Sequence, residues 1–215
     1  MKKLVYLVAL LCFSWVHAGS YEDFFRAIKR DDGKEVSALL ARGFDPNTLD
    51  PKGLHGLYLA MQEPALNVAQ VLIDWPKTDI DWHSPKDETP LMMAALKGHV
   101  ALAKKLVDKG ADVNKTGWTP LHYAATSGQL EIIELLLENH AYIDAESPNK
   151  TTPLMMAAMY GTREAVKLLL EAGADPALKN ELGLSAIDFA NRADRKDVAE
   201  MVAAKIRAQS PQGKW

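Results

Sequence analysis

The side chains in this sequence best suited to acid–base or metal chemistry are His55, His83, His99, His122 and His140, and their spacing argues against both. No two of them stand at i, i+4, so no helix face offers a ligand pair of the His-Glu-x-x-His kind. No Gly-x-Ser-x-Gly elbow or glycine-rich phosphate loop occurs either. Hydrolysis or group transfer needs a nucleophile with a base, or paired carboxylates at a workable spacing. The sequence presents neither, so no catalytic residue is assigned and the chain is not read as an enzyme. His83, beside Asp81 and Trp82, reads as a solvated loop residue. Met61, Met92, Met93, Met155, Met156 and Met159 could suggest copper or heme ligation. Flexible thioethers more often fill irregular cores, so neither a metal nor a cofactor is expected.

What would position these side chains is a repeated element. Thr89-Pro90-Leu91-Met92-Met93-Ala94-Ala95, Thr119-Pro120-Leu121-His122-Tyr123-Ala124-Ala125 and Thr152-Pro153-Leu154-Met155-Met156-Ala157-Ala158 are one phrase in three copies. Each is followed at the same distance by Gly98, Gly128 or Gly161, then by an apolar helix such as Ile132-Ile133-Glu134-Leu135-Leu136-Leu137. Proline suits the first helical position, which needs no amide donor, and the threonine before it can cap the helix. The alanines let a second helix approach, and the glycine offers a left-handed residue for the intervening turn. Gly110 and Gly173 end two of the second helices, with His140 in that place between them.

This pattern resembles the ankyrin family, whose period is about 33 residues and whose signature is Thr-Pro-Leu-His-x-Ala. Degenerate copies extend it at both ends. Tyr21 to Asn47 reads as the N-terminal cap, and Gly53-Leu54-His55-Gly56-Leu57-Tyr58-Leu59-Ala60 puts Gly56 in the proline place, which weakens that helix start. Asn180 to Lys205 is the last copy, with Ala186 in the proline place and Asp188 where histidine is usual. The resemblance implies an all-α solenoid of about six helix-turn-helix repeats joined by β-hairpin loops. It divides the chain into a signal peptide (1–18), a repeat domain (19–206) and a tail (207–215) expected to be disordered. The proline places, Gly56, Pro90, Pro120, Pro153 and Ala186, are separated by 34, 30, 33 and 33 residues. Asn114-Lys115-Thr116-Gly117 is therefore a trimmed hairpin tip, and Trp75-Pro76-Lys77-Thr78 carries one extra residue. Gly56 and that longer hairpin mark the expected weakest junction.

The family uses its signature histidine, here His122, to tie neighbouring hairpins by hydrogen bonds. Its partners lie in the concave groove made by the hairpin tips and the exposed face of the first helices. In this sequence the groove positions carry Leu54, Leu96, Trp118, Met159, Tyr160 and Leu184, where a bland solvent face would be polar. Aromatic and apolar anchors ringed by polar groups are what a protein interface requires. For Trp118, packing on the next hairpin is an equal alternative, and Trp75 and Trp82 are read as covering the irregular hairpin.

The first residues set the compartment. Lys2 and Lys3 precede an apolar run from Leu4 to Val16, and Val16-His17-Ala18 ends in the small-residue pattern of a cleavage site. The run is shorter than the ~20 residues that span a bilayer, so cleavage after Ala18 and export to a Gram-negative periplasm are expected. Cys12, the one cysteine, lies inside the leader, so disulfides cannot hold the mature chain together. Without Lys2 and Lys3 the chain has 23 basic and 28 acidic residues, and its formal charge moves from -3 to -5. The basic residues are scattered among acidic ones, and no nucleic-acid stripe results. The expectation is a monomeric periplasmic protein that binds another protein. Two refinements are neutralisation of a secretion-system toxin as an immunity protein, and support of a periplasmic enzyme such as one protecting against oxidative stress.

Overall fold

The structure, a computed structural model, describes residues 19–209; the expected signal peptide and cleavage site, in residues 1–18, and residues 210–215 lie outside the described residues. Among the described residues twelve helices follow one another in pairs: α1 (residues 19–29) with α2 (Gly33–Ala41), α3 (Gly56–Gln62) with α4 (Leu66–Asp74), and α5 (Pro90–Lys97) with α6 (Val100–Asp108). The remaining pairs are α7 (Pro120–Ser127) with α8 (Leu130–Glu138), α9 (Pro153–Tyr160) with α10 (Arg163–Glu171), and α11 (Ala186–Arg192) with α12 (Lys196–Gln209). They coincide with the six expected repeats, and the fold is an all-α repeat solenoid. Arg207 to Gln209, assigned from sequence to the tail, form the last turn of α12, where the Arg207 guanidinium reaches the Glu200 carboxylate at 2.5 Å.

The chain divides into two compact units, one ending at Asp87 and one beginning at Glu88. In the second unit the inner helices α5, α7, α9 and α11 pack in a row, and the outer helices α6, α8, α10 and α12 pack in another. Helices of seven to nine residues are marginal alone, and lateral burial is what holds them. Leu91, Leu121, Ile132, Ile133, Leu136 and Leu169 are fully buried. Ala94, Ala95, Ala124, Ala125, Ala157 and Ala158 are also fully buried, as close helix approach requires. The last repeat ends the row with polarity. Asp188 and Asn191 stand where the preceding repeats bury Met155 and Ala158, as a terminal repeat facing water must.

In the first unit α2 packs on α4, and Phe24, Leu39, Leu57, Met61 and Leu72 form the core. Gly56 has a packing reason that the sequence concealed. A Cβ there would stand 2.8 Å from the Phe24 ring, so the missing side chain admits a large aromatic from α1. The start of α3 is secured by His55, whose Nδ1 accepts the Leu57 N–H at 3.2 Å.

Two local expectations are corrected. The connecting fingers contain no paired strands among the described residues, only one isolated antiparallel bridge between Leu49 and His55. They close by turns, as where Ser147 N donates to Thr151 O (3.1 Å) and Asn180 N to Leu184 O (3.0 Å). Gly161 is not left-handed like Gly98 and Gly128; its φ is -76°. It is required instead by contact, because a Cβ would run into the main-chain oxygen of Ala125. His140, by contrast, does take the left-handed conformation of the glycines it replaces, with φ 64°.

Candidate functional site

Each inner helix of the second unit starts with the same hydrogen-bonded device, which fixes where the groove side chains sit. Thr89 Oγ1 accepts from Met92 N at 3.3 Å, while the Met92 sulfur accepts from Thr89 N at 3.3 Å. Thr152 and Met155 repeat this pair, and Ser185 with Asp188 supplies an oxygen version, Oδ2 accepting from Ser185 N at 2.8 Å. The Ser185 hydroxyl, which donates to the same oxygen at 2.7 Å, and the Ser185 amide together hold the Asp188 carboxyl below its ordinary pKa. The methionines at the signature place, Met92 and Met155, are thus buried caps, Met61 and Met93 are core, and Met156 is half-buried.

His122 performs the same capping and one thing more. Its Nδ1 accepts the Thr119 N–H at 3.2 Å, which leaves the proton on Nε2 for the Thr151 carbonyl of the next finger at 2.8 Å. Burial pushes its pKa down from 6.5 to about 4. His55 plays an equivalent part in the first unit. With Nδ1 accepting from Leu57 N, Nε2 donates to Asn47 Oδ1 at 3.1 Å, and burial lowers its pKa to about 4. Both rings are structural ties, held neutral. His83 is exposed, with Nδ1 2.6 Å from Asp87 Oδ1 in the same finger. No group of three or more His, Cys, Asp or Glu able to hold a metal occurs among the described residues.

The groove residues fall into two sets. Leu54 belongs to the first unit, where it joins Tyr21, Phe25 and Leu59 in a depression of about 740 Å³ beside α1, bordered by Lys29, Lys52 and Glu63. Leu96, Trp118, Met159, Tyr160 and Leu184 belong to the second. There Leu96 and Met159 occupy the same position on α5 and α9, with Thr126 between them on α7 and Tyr160 one residue beyond. Tyr160 is 59% exposed; Leu54, Leu96, Trp118, Met159 and Leu184 are half-buried. Trp118 packs edge-on against the His122 ring, centroids 5.1 Å apart, so part of its surface is committed to the repeat. Lys115, buried in the trimmed finger, donates its ammonium to the carbonyls of Thr116 (2.9 Å) and Trp118 (3.3 Å). These bonds tie the main chain at Trp118 to the finger. Next to it, Tyr123 OH donates to Glu88 Oε1 at 3.1 Å. Trp82 stacks on His55 and meets Tyr58 edge-on, which makes it a cover for the first unit's core.

The two most exposed large apolar side chains among the described residues escaped the sequence reading. Leu182 is 74% exposed at the last fingertip, and Tyr142 is 69% exposed at the base of the finger that follows α8. Tyr142 could have been found: other cycles carry aspartate in its place, Asp45, Asp79, Asp112 and Asp175.

A family model described as ankyrin repeats (3 copies) matches residues 24–114, 57–147 and 139–211. The chain is 30% identical over 139 residues to transient receptor potential cation channel subfamily A member 1 of Homo sapiens, covering 60% of this chain and 12% of that protein. It is 33% identical over 119 residues to neurogenic locus notch homolog protein 1 of Homo sapiens, covering 54% and 5%. Against the 2-5A-dependent ribonuclease of Mus musculus it is 38% identical over 74 residues, covering 33% and 10%. The chain therefore spans only 5 to 12% of the length of these relatives.

Proposed function

Because the chain belongs to the ankyrin-repeat family, whose repeats generally mediate protein–protein interaction, we propose that it holds a partner protein against the inner-helix and finger face of its second unit. The observation that carries this reading is Tyr160, a large aromatic left 59% exposed at the end of α9 beside Met159. Aromatic anchors on a rigid face supply much of the energy of protein interfaces. Trp118 and Leu184 contribute from the fingers and Leu96 from α5, while Leu54 offers an equivalent contact in the first unit. The leader sequence supports export, and the periplasm of a Gram-negative bacterium is the proposed place of action.

The test is capture from a periplasmic extract on the native protein, compared with a Trp118→Ala/Tyr160→Ala variant whose helical signal and melting temperature are measured in parallel. A protein retained by the native chain and lost by an equally stable variant supports the reading. Its identity separates an immunity role, where the partner is a delivered toxin, from support of a resident enzyme. A large fall in melting temperature would show that the two aromatics are structural, and the inner-face assignment would fail.

A further inference from the structure

At the base of four fingers an aspartate folds the chain by accepting the N–H two residues on. Asp45 accepts from Asn47 (2.9 Å), Asp79 from Asp81 (3.2 Å), Asp112 from Asn114 (2.7 Å) and Asp175 from Ala177 (2.9 Å). The finger after α8 gives up that bond and carries Tyr142, which puts a phenol ring 69% into water. Two residues later it carries Asp144, as the finger after α4 carries Asp81, where two other fingers carry asparagine. Asn47 and Asn114 each clasp the next finger twice, donating to Lys77 O or His140 O and accepting from Asp79 N or Tyr142 N. Asp144, in the same place, accepts from Asp175 N (3.1 Å) and, when ionised, has nothing to donate. Burial and the neighbouring Asp175 carboxylate push its pKa up. Neither Asp144 nor Asp175 is paired with a cation among the described residues.

Positions that abandon a stabilising local rule are where a chain spends stability on recognition. An exposed aromatic ring two residues along the finger from Asp144, whose carboxylate meets the Asp175 amide and has no counter-ion among the described residues, suits a cation through the ring face and through charge. We propose that the base of this finger, centred on Tyr142, is a second docking surface, and that its occupant is an arginine or lysine side chain of a protein partner. The surface is separate from the inner face anchored by Tyr160, and its test does not depend on that face.

The test is an amide-shift titration of the protein with tetra-arginine amide at low salt, with tetraglycine amide as the control. Saturable shifts at residues 140–145 and 173–175 are expected. Affinity should fall about five- to tenfold in Tyr142→Ser, fall also in Asp144→Asn, and stay within about twofold of the parent in Tyr142→Phe. The proposal is overturned if no shift occurs, if shifts spread equally over the other acidic segments, or if Tyr142→Ser binds as well as the parent. Unchanged shifts elsewhere in each variant confirm that it is folded.

Discussion

His122 Nε2 donates to the main-chain oxygen of Thr151 at 2.8 Å, joining the inner helix of one repeat to the finger of the next. Met92 and Met155 cap their helices from the same position but have no donor to send across. His122→Met should therefore keep the cap to Thr119 and lose only the tie, costing about 1–3 kcal/mol at pH 7. The pH dependence has a definite sign. The folded-state pKa of His122, about 4, lies below the ordinary 6.5, so its contribution is complete above about pH 6.5 and is lost as pH falls toward 4. That contribution is on the order of 3 kcal/mol for a shift of this size. Urea unfolding across this range should show the parent losing stability faster than the variant, with the two curves converging or crossing near pH 4; parallel curves would contradict the assignment.

Asp144 makes the opposite prediction. Asparagine in its place would donate toward the Gly173 carbonyl, as Asn47 does to Lys77 and Asn114 to His140. Asp144→Asn should raise stability at pH 7 by about 1 kcal/mol. Since the folded pKa of Asp144 is raised, the stability its protonation confers is present below the unfolded carboxyl pKa and disappears as pH rises through the folded value. The advantage of the variant should accordingly shrink on acidification, and thermal melts at pH 7 and pH 4 compare the two directly.

How much of this was legible depends on whether a residue acts within its own repeat. The helix starts at Pro90, Pro120 and Pro153, the tie at His122 and the place of His140 among the closing glycines follow from local chemistry and were read from the sequence. Gly161 was misread, and the packing reason for Gly56 was missed, because both reasons lie elsewhere, in the Ala125 carbonyl and the Phe24 ring, about one repeat away. Among the groove residues, position along each repeat was readable but exposure was not. Trp118 shares its surface with His122, whereas Tyr160 does not spend its ring on a comparable contact. Tyr142 lies outside the signature phrase, and only the aspartates at the same place in the other fingers, Asp45, Asp79, Asp112 and Asp175, mark it as unusual.

Gly161 and Gly173 separate contact from conformation. Gly161→Ala leaves an ordinary φ of -76° but drives a methyl into the Ala125 carbonyl and the α9 backbone. A cost of about 3 kcal/mol is expected, since backbone must move to relieve it. Gly173→Ala meets nothing within 4 Å and suffers only its left-handed φ of 103°, at about 1 kcal/mol. Denaturation midpoints that ranked the two in reverse would refute the contact argument.

Gly56 offers a test of whether restoring the family's proline helps this chain. Proline at the helix start is favourable in isolation, and by sequence alone Gly56→Pro should stabilise α3. In the folded protein a Cβ at that position lies 2.8 Å from the Phe24 ring and 3.2 Å from Ile28 Cδ1. Phe24 is fully buried and cannot swing into solvent without exposing the core. Gly56→Pro should therefore destabilise, by about 1–3 kcal/mol, as overpacked cores do. In a Phe24→Leu background, where the ring is gone, the same substitution should cost at least about 1 kcal/mol less, a coupling of the size found between residues in contact. Equal effects in the two backgrounds would mean that Gly56 and Phe24 do not meet, and that the weak helix start expected from the sequence was the correct reading after all.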